Sequence, residues 1–159
     1  MVFLHIDPKN YNVRQKNNKV PIQELNKLIA SGKDVFVLIY KEGCPPCNET
    51  RPEWSKLYTN REVMKKDVVV VDIDKDLIEH IHNLKKEPLG YPTMRYIRGN
   101  TFEDYEDSPI QTKDRSIDSF VMWINAKKKA TKRNKSRSKT RNKKRSRHKK
   151  TRHNRTIRL

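Results

Sequence analysis

Cys44 and Cys47 are the chain's two cysteines, and only Pro45 and Pro46 separate them. A thiol attacks as its thiolate, and two thiols this close can carry a full exchange cycle. One opens a disulfide by forming a mixed disulfide, and the other displaces it. The competing use of such a pair is metal capture. A structural zinc site needs four ligands, so the rest would have to come from His5, His80, His82, His148 and His153. His80 and His82 are two apart and would not share a helix face. The pair is therefore read as a redox-active disulfide with no metal and no cofactor.

The neighbouring segments must present these sulfurs. Val35 to Tyr40 is an unbroken apolar run of strand length, the pattern of a central strand covered on both faces. Asn48 to Tyr58 reads as helix, with a kink expected at Pro52. A strand running into a helix puts the first sulfur at the helix N-terminus, where the partial positive charge favours a thiolate. Cys44 is thus the attacking cysteine, and Cys47, about one turn further on, the resolving one. Pro45 and Pro46 have no N–H to offer the Cys44 sulfur. A less stabilised thiolate, and so a more reducing pair, is expected.

The remaining segments supply the layers. Val2 to Ile6 reads as a strand, and Pro8 to Lys19 as a polar loop. Pro21 opens a helix whose Ile22, Leu25, Leu28 and Ile29 share a face, with Gly32 past its end. Val68 to Val71, leading into Asp72-Ile73-Asp74, is a second buried strand, its two carboxylates read as solvated at the strand end. Leu77, Ile78, Ile81 and Leu84 mark a further helix face. Thr93 to Ile97, Gly99-Asn100 and Thr101 to Tyr105 form a hairpin. Ser116 caps a last helix that buries Ile117, Phe120, Val121 and Ile124, while Trp54 and Trp123 are packing residues. Alternating strands and helices ending in a hairpin imply an α/β fold, a mixed sheet of four to five strands flanked by helices.

Several of these stretches together resemble the thioredoxin and protein disulfide isomerase superfamily. They are the strand Val35–Tyr40 entering the pair, Cys47-Asn48-Glu49-Thr50-Arg51-Pro52-Glu53-Trp54, Val68–Asp74, Gly90-Tyr91-Pro92-Thr93, Gly99, Tyr105 and Arg115 to Phe120. The resemblance covers nearly all of residues 20–126 and implies a thioredoxin fold. It implies a cis Pro92 that faces the sulfurs and blocks metal capture, so Cys44, Cys47 and Pro92 form the catalytic set. Tyr91, Thr93, Pro45 and Pro46 would line the substrate groove. Partners would be protein thiols and disulfides, with an electron-donor reductase or glutathione. Two departures stand out. Gly43 occupies the place of the family's Trp before the first cysteine, and Leu38 that of its buried acid, which helps deprotonate the resolving cysteine.

Charge divides the chain. Residues 127–159 hold 18 of the 37 Lys and Arg and no Asp or Glu, so the body is formally neutral and the tail carries the whole +18. The organisation expected is an N-terminal strand and loop over 1–19, a thioredoxin-like domain over 20–126 and a disordered polybasic tail over 127–159. Such a tail suits salt-dependent, sequence-independent attraction to DNA or RNA, or a nuclear address. No stretch approaches the roughly 20 apolar residues of a membrane span, and the N-terminus lacks a signal-peptide pattern. A cytoplasmic or nuclear location is expected, with a virion role by analogy alone. The functional expectation is a thiol–disulfide oxidoreductase. The alternative is a redox-inactive binding or structural protein of the same fold.

Overall fold

The computed structural model describes residues 1–8, 20–82, 84 and 86–131. Five strands make one mixed sheet: β1 (Val2–Ile6), β2 (Val35–Tyr40), β3 (Val69–Asp74), β4 (Thr93–Arg98) and β5 (Thr101–Asp104), in the order β1-β3-β2-β4-β5. β3 pairs in parallel with β1 and β2, whereas β4 pairs antiparallel with β2 and β5. β2 and β3 are buried at every position. That is why their sequences run apolar without alternation.

Helix α1 (Val20–Ala30) covers one face of the sheet. Its Ile22, Leu25 and Ile29 pack on Val35, Val37 and Ile39 of β2 and Val69, Val71 and Ile73 of β3. This layer is aliphatic. The opposite face is aromatic. Phe36 and Leu38 of β2 and Val70 of β3 meet Trp54 from α2 (Pro45–Ser55), Val63 from α3 (Arg61–Met64), and Phe120 and Trp123. Trp54 meets Phe120 edge-on at 5.0 Å, and Phe36 meets Trp123 edge-on at 5.0 Å, a favourable arrangement of ring quadrupoles.

Phe120 and Trp123 belong to α4, which begins at residue 117. Ser116 caps it, the Ser119 N–H donating to Ser116 Oγ at 3.3 Å. Met1–Ile124 form one compact unit, with β1 inside its sheet, so the strand at 2–6 is an integral part of the body. In the second unit, Asn125–Leu159, residues 125–131 are helical. The basic stretch therefore begins in helix, and the disorder expected over 127–159 does not hold for 127–131. Most of that tail, and the loop expected over residues 9–19, lie outside the described residues.

One expected helix is a tighter turn. Lys75–His80 is 3₁₀, opened by Asp74, whose carboxylate accepts from the Asp76 N–H at 2.9 Å. The α1 side chain of Asn26 fixes the end of this turn, donating to the His80 carbonyl at 3.0 Å and accepting from the His82 N–H at 2.8 Å. Ile81 between them is extended, which stops the helical path. Leu77, Ile81 and Leu84 still reach the aliphatic layer. Asp72 and Asp74, expected to be solvated, are both buried.

Candidate redox site

The run from β2 into α2 carries the pair. Gly43 has φ +73°, a left-handed conformation that a side chain other than glycine's strains to adopt. The backbone itself thus disfavours a Trp at this position. Cys44 is the N-cap of α2, and Pro45 and Pro46 occupy the first turn, where a missing N–H breaks no helical hydrogen bond. The helix continues through Pro52 to Ser55.

Cys44 and Cys47 are joined as a disulfide with Cα atoms 5.2 Å apart. Cys44 is half-buried and Cys47 fully buried. The Cys47 N–H points at Cys44 Sγ, 3.4 Å away. The two prolines remove their own donors, but the backbone of the second cysteine supplies one that sequence reasoning overlooked. Cys44 Sγ also lies 3.6 Å from the Tyr91 carbonyl oxygen. This brings the 90–93 loop against the attacking sulfur.

In that loop the Tyr91–Pro92 peptide is cis, Pro92 is buried, and Thr93 Oγ1 donates to the Gly90 carbonyl at 2.7 Å. Tyr91, Pro92 and Thr93 line a groove of about 470 Å³, with fully exposed Leu89 on its rim. Pro46 lines a second groove of about 300 Å³, with Glu49 and Thr50. Pro45 is exposed beside the pair. Arg115 borders both grooves, and its φ of +61° is strained for a residue with a side chain. Its guanidinium donates to Glu106 at 3.1 Å.

A polar group that the sequence did not reveal lies behind α2. Asp72 receives the Tyr58 hydroxyl and lies 2.5 Å from His5 Nδ1. His5 Nε2 lies 2.9 Å from Asp7. Burial, and then the Asp72 carboxylate, push the Tyr58 phenol far above its ordinary range. The available signal was alternation: His5 and Asp72 fall on the same faces of their strands as Phe3 and Val70, which join the aromatic layer. Among the described residues, no three His, Cys, Asp or Glu converge as metal ligands. Also among them, no helix is long and apolar enough to cross a membrane.

Fold and site together define an α/β protein with a disulfide pair at a helix start, its first cysteine the N-cap, beside a cis-proline loop. The family described as Thioredoxin matches residues 15–125, and the chain belongs to that family. Solved structures to which the chain is similar include the J-Trx1 fragment of ERdj5, at 16% identity and TM-score 0.47, covering 78% of this chain and 50% of that one. Human ERp44 form I matches at 14% identity and TM-score 0.48, covering 78% of this chain and 29% of that one. Trxlp from Edwardsiella tarda EIB202 matches at 18% identity and TM-score 0.41, covering 67% of this chain and 90% of that one. The chain thus spans half the length or less of the first two. No curated protein matches by sequence.

Proposed function

We propose that the protein is a thiol–disulfide oxidoreductase that reduces protein disulfides. Cys44 attacks, Cys47 resolves, and a reductase or glutathione returns the pair to the dithiol. The observation that carries this reading is the setting of Cys44 Sγ. It caps α2, receives the Cys47 N–H, and faces the Tyr91 carbonyl at the edge of the groove. An extended substrate segment lying along Tyr91, Pro92 and Thr93 would bring its disulfide onto that sulfur, with Pro45 and Pro46 as the opposite wall. The basic stretch 127–159 would hold the domain near DNA or RNA, in cytoplasm, nucleus or a virion. The competing reading, a redox-inactive docking domain, draws on Leu38 standing where the family has its acid.

Turnover of a protein disulfide by the full chain, compared with Cys44→Ser, Cys47→Ser and the double variant, tests it. Wild type is expected to turn over, Cys44→Ser to be inert, and Cys47→Ser to accumulate a mixed disulfide. Wild-type rates no higher than those of the double variant would leave the docking reading. For the tail, retention on DNA should fall linearly in log–log with salt, at a slope of about −0.9 per phosphate contacted. Salt-independent retention would remove that role.

A further inference from the structure

A cavity of about 390 Å³ opens between α2 and the first three strands. Its walls are mostly apolar: Leu38 from β2, and Pro52 and Trp54 from α2. Into this lining come a few polar groups, Asp72 and His5 from the sheet and Asn48 and Arg51 from the helix. A mainly apolar hollow of this size with a few convergent polar groups is the usual form of a small-molecule site. It is distinct from the groove beside the cysteines, for Tyr91, Pro92 and Thr93 line that groove and not this cavity.

The polar groups around the cavity do not balance. Its carboxylate is already used: one Asp72 oxygen receives the Tyr58 hydroxyl, and the other lies 2.5 Å from His5 Nδ1. Three donors are not. Trp54 is 1% exposed, and its indole N–H is buried without an acceptor. The Arg51 guanidinium lies over the Tyr40 ring at 3.9 Å. Neither it nor the Asn48 side-chain amide donates to any acceptor among the described residues. A buried donor left unpaired is costly, so a surplus of donors in one hollow calls for an occupant that brings acceptors. Stacking on Tyr40 also holds the guanidinium in place, which lowers what pairing with it loses in freedom.

We propose that this cavity binds a small organic acid, its carboxylate on Arg51 and the Trp54 indole N–H and its apolar body against Leu38 and Pro52. A carboxylate matches the flat fork of a guanidinium. A doubly charged group such as phosphate fits less well, because the carboxylates of Asp72 and Asp7 stand on the His5 side. The apolar walls favour an acid with a hydrocarbon or aromatic body over a bare anion. The site makes no use of the cysteine chemistry, so it stands or falls apart from the oxidoreductase reading.

Titrating the isotope-labelled full chain with phenylacetate tests this, read by NMR at the indole N–H signals of Trp54 and Trp123. The Trp54 signal is expected to move saturably, with a dissociation constant of about 1 mM for so small a ligand, while that of Trp123 stays. Phenylacetamide keeps the shape without the charge and should bind about tenfold more weakly. Acetate keeps the charge without the ring and should not saturate over the same range. Arg51→Met should weaken phenylacetate about tenfold, the low end for a hydrogen bond to a charged group, and leave phenylacetamide unchanged. A Trp54 signal that phenylacetate does not move would overturn the site. So would equal binding of acid and amide, acetate binding as tightly as phenylacetate, or wild-type phenylacetate binding by Arg51→Met.

Discussion

Two charges buried on opposite faces of the sheet, Arg95 and Asp72, are held in opposite ways. Arg95 of β4 lies on the aliphatic face, 1% exposed. Its Nε and Nη2 donate to the Asp104 carboxylate at 2.5 and 3.0 Å, and its Nη1 to the Leu84 and Lys86 carbonyls. A guanidinium never titrates in this setting, and two of its acceptors are backbone. Asp72 on the aromatic face is held by the side chains of His5 and Tyr58, the tyrosine hydroxyl donating to its carboxylate. Both satisfy the rule that a buried charge must be paired. The difference lies in the partners: Arg95 fastens backbone carbonyls, whereas Asp72 is tied to side chains from other parts of the chain. The fastened carbonyls, those of Leu84 and Lys86, precede the loop of Tyr91 and Pro92.

The largest effect expected from breaking this contrast is at Arg95. Arg95→Met leaves Asp104 and two carbonyls without their donor. Stability to urea should fall by about 3–5 kcal/mol, the range for stripping one partner from a buried ion pair. A loss below about 1 kcal/mol would place Arg95 among surface ion pairs and end the comparison.

Next in size is Tyr58→Phe, which removes one donor to the Asp72 carboxylate. A hydrogen bond to a charged group contributes about 1.5–3 kcal/mol, and the loss should appear in urea unfolding at neutral pH. An unchanged stability in this variant would show that the Tyr58 hydroxyl contributes nothing net to holding Asp72.

Smaller still is Pro46→His. Pro45 and Pro46 offer no donors to the Cys44 sulfur, which favours a reducing pair, and the Cys47 N–H replaces only one of them. A histidine beside Cys44 should stabilise its thiolate and raise the reduction potential by about 30 mV, near 1.4 kcal/mol for two electrons. A potential unchanged in glutathione buffers would show that the Cys47 N–H already suffices.

Range along the chain decides which features the sequence disclosed. The unbroken apolar strands β2 and β3, the Ser116 cap, the cysteines at the helix start and the 90–93 loop are written in runs of a few residues. The Asp72 group is not, because His5 lies 67 positions away and meets Asp72 only through parallel pairing of β1 with β3. The same holds for Arg95, a charged residue inside a buried strand until Asp104 and the Leu84 and Lys86 carbonyls converge on it. The turn at Lys75–His80 departs from its sequence pattern for a related reason. Its apolar spacing suits a helix, but Asn26 on α1 holds it otherwise. The four-residue α3 is too short to show a period at all.

The subtlest expected effect is at the cavity's edge. The Arg51 guanidinium lies 3.9 Å from the Tyr40 ring centroid, a cation–π contact. Burial pushes the Tyr40 phenol up to about 12; Arg51 pulls it back, and Asp72, Asp74 and Asp7 push it further up. A phenol raised in the fold is neutral there while it ionises in the unfolded chain. The stability tied to the neutral phenol is fully present below pH 10, the ordinary tyrosine value, and is lost as pH climbs from 10 through about 12. Arg51→Met should remove about 0.5–1 kcal/mol at neutral pH and move the Tyr40 titration, read by phenolate absorbance, to still higher pH. The alkaline loss should then extend further. If the titration moved down instead, the carboxylates of Asp72 and Asp74 would not be the charges that Arg51 offsets, and the field on this face of the sheet would have to be assigned to other groups.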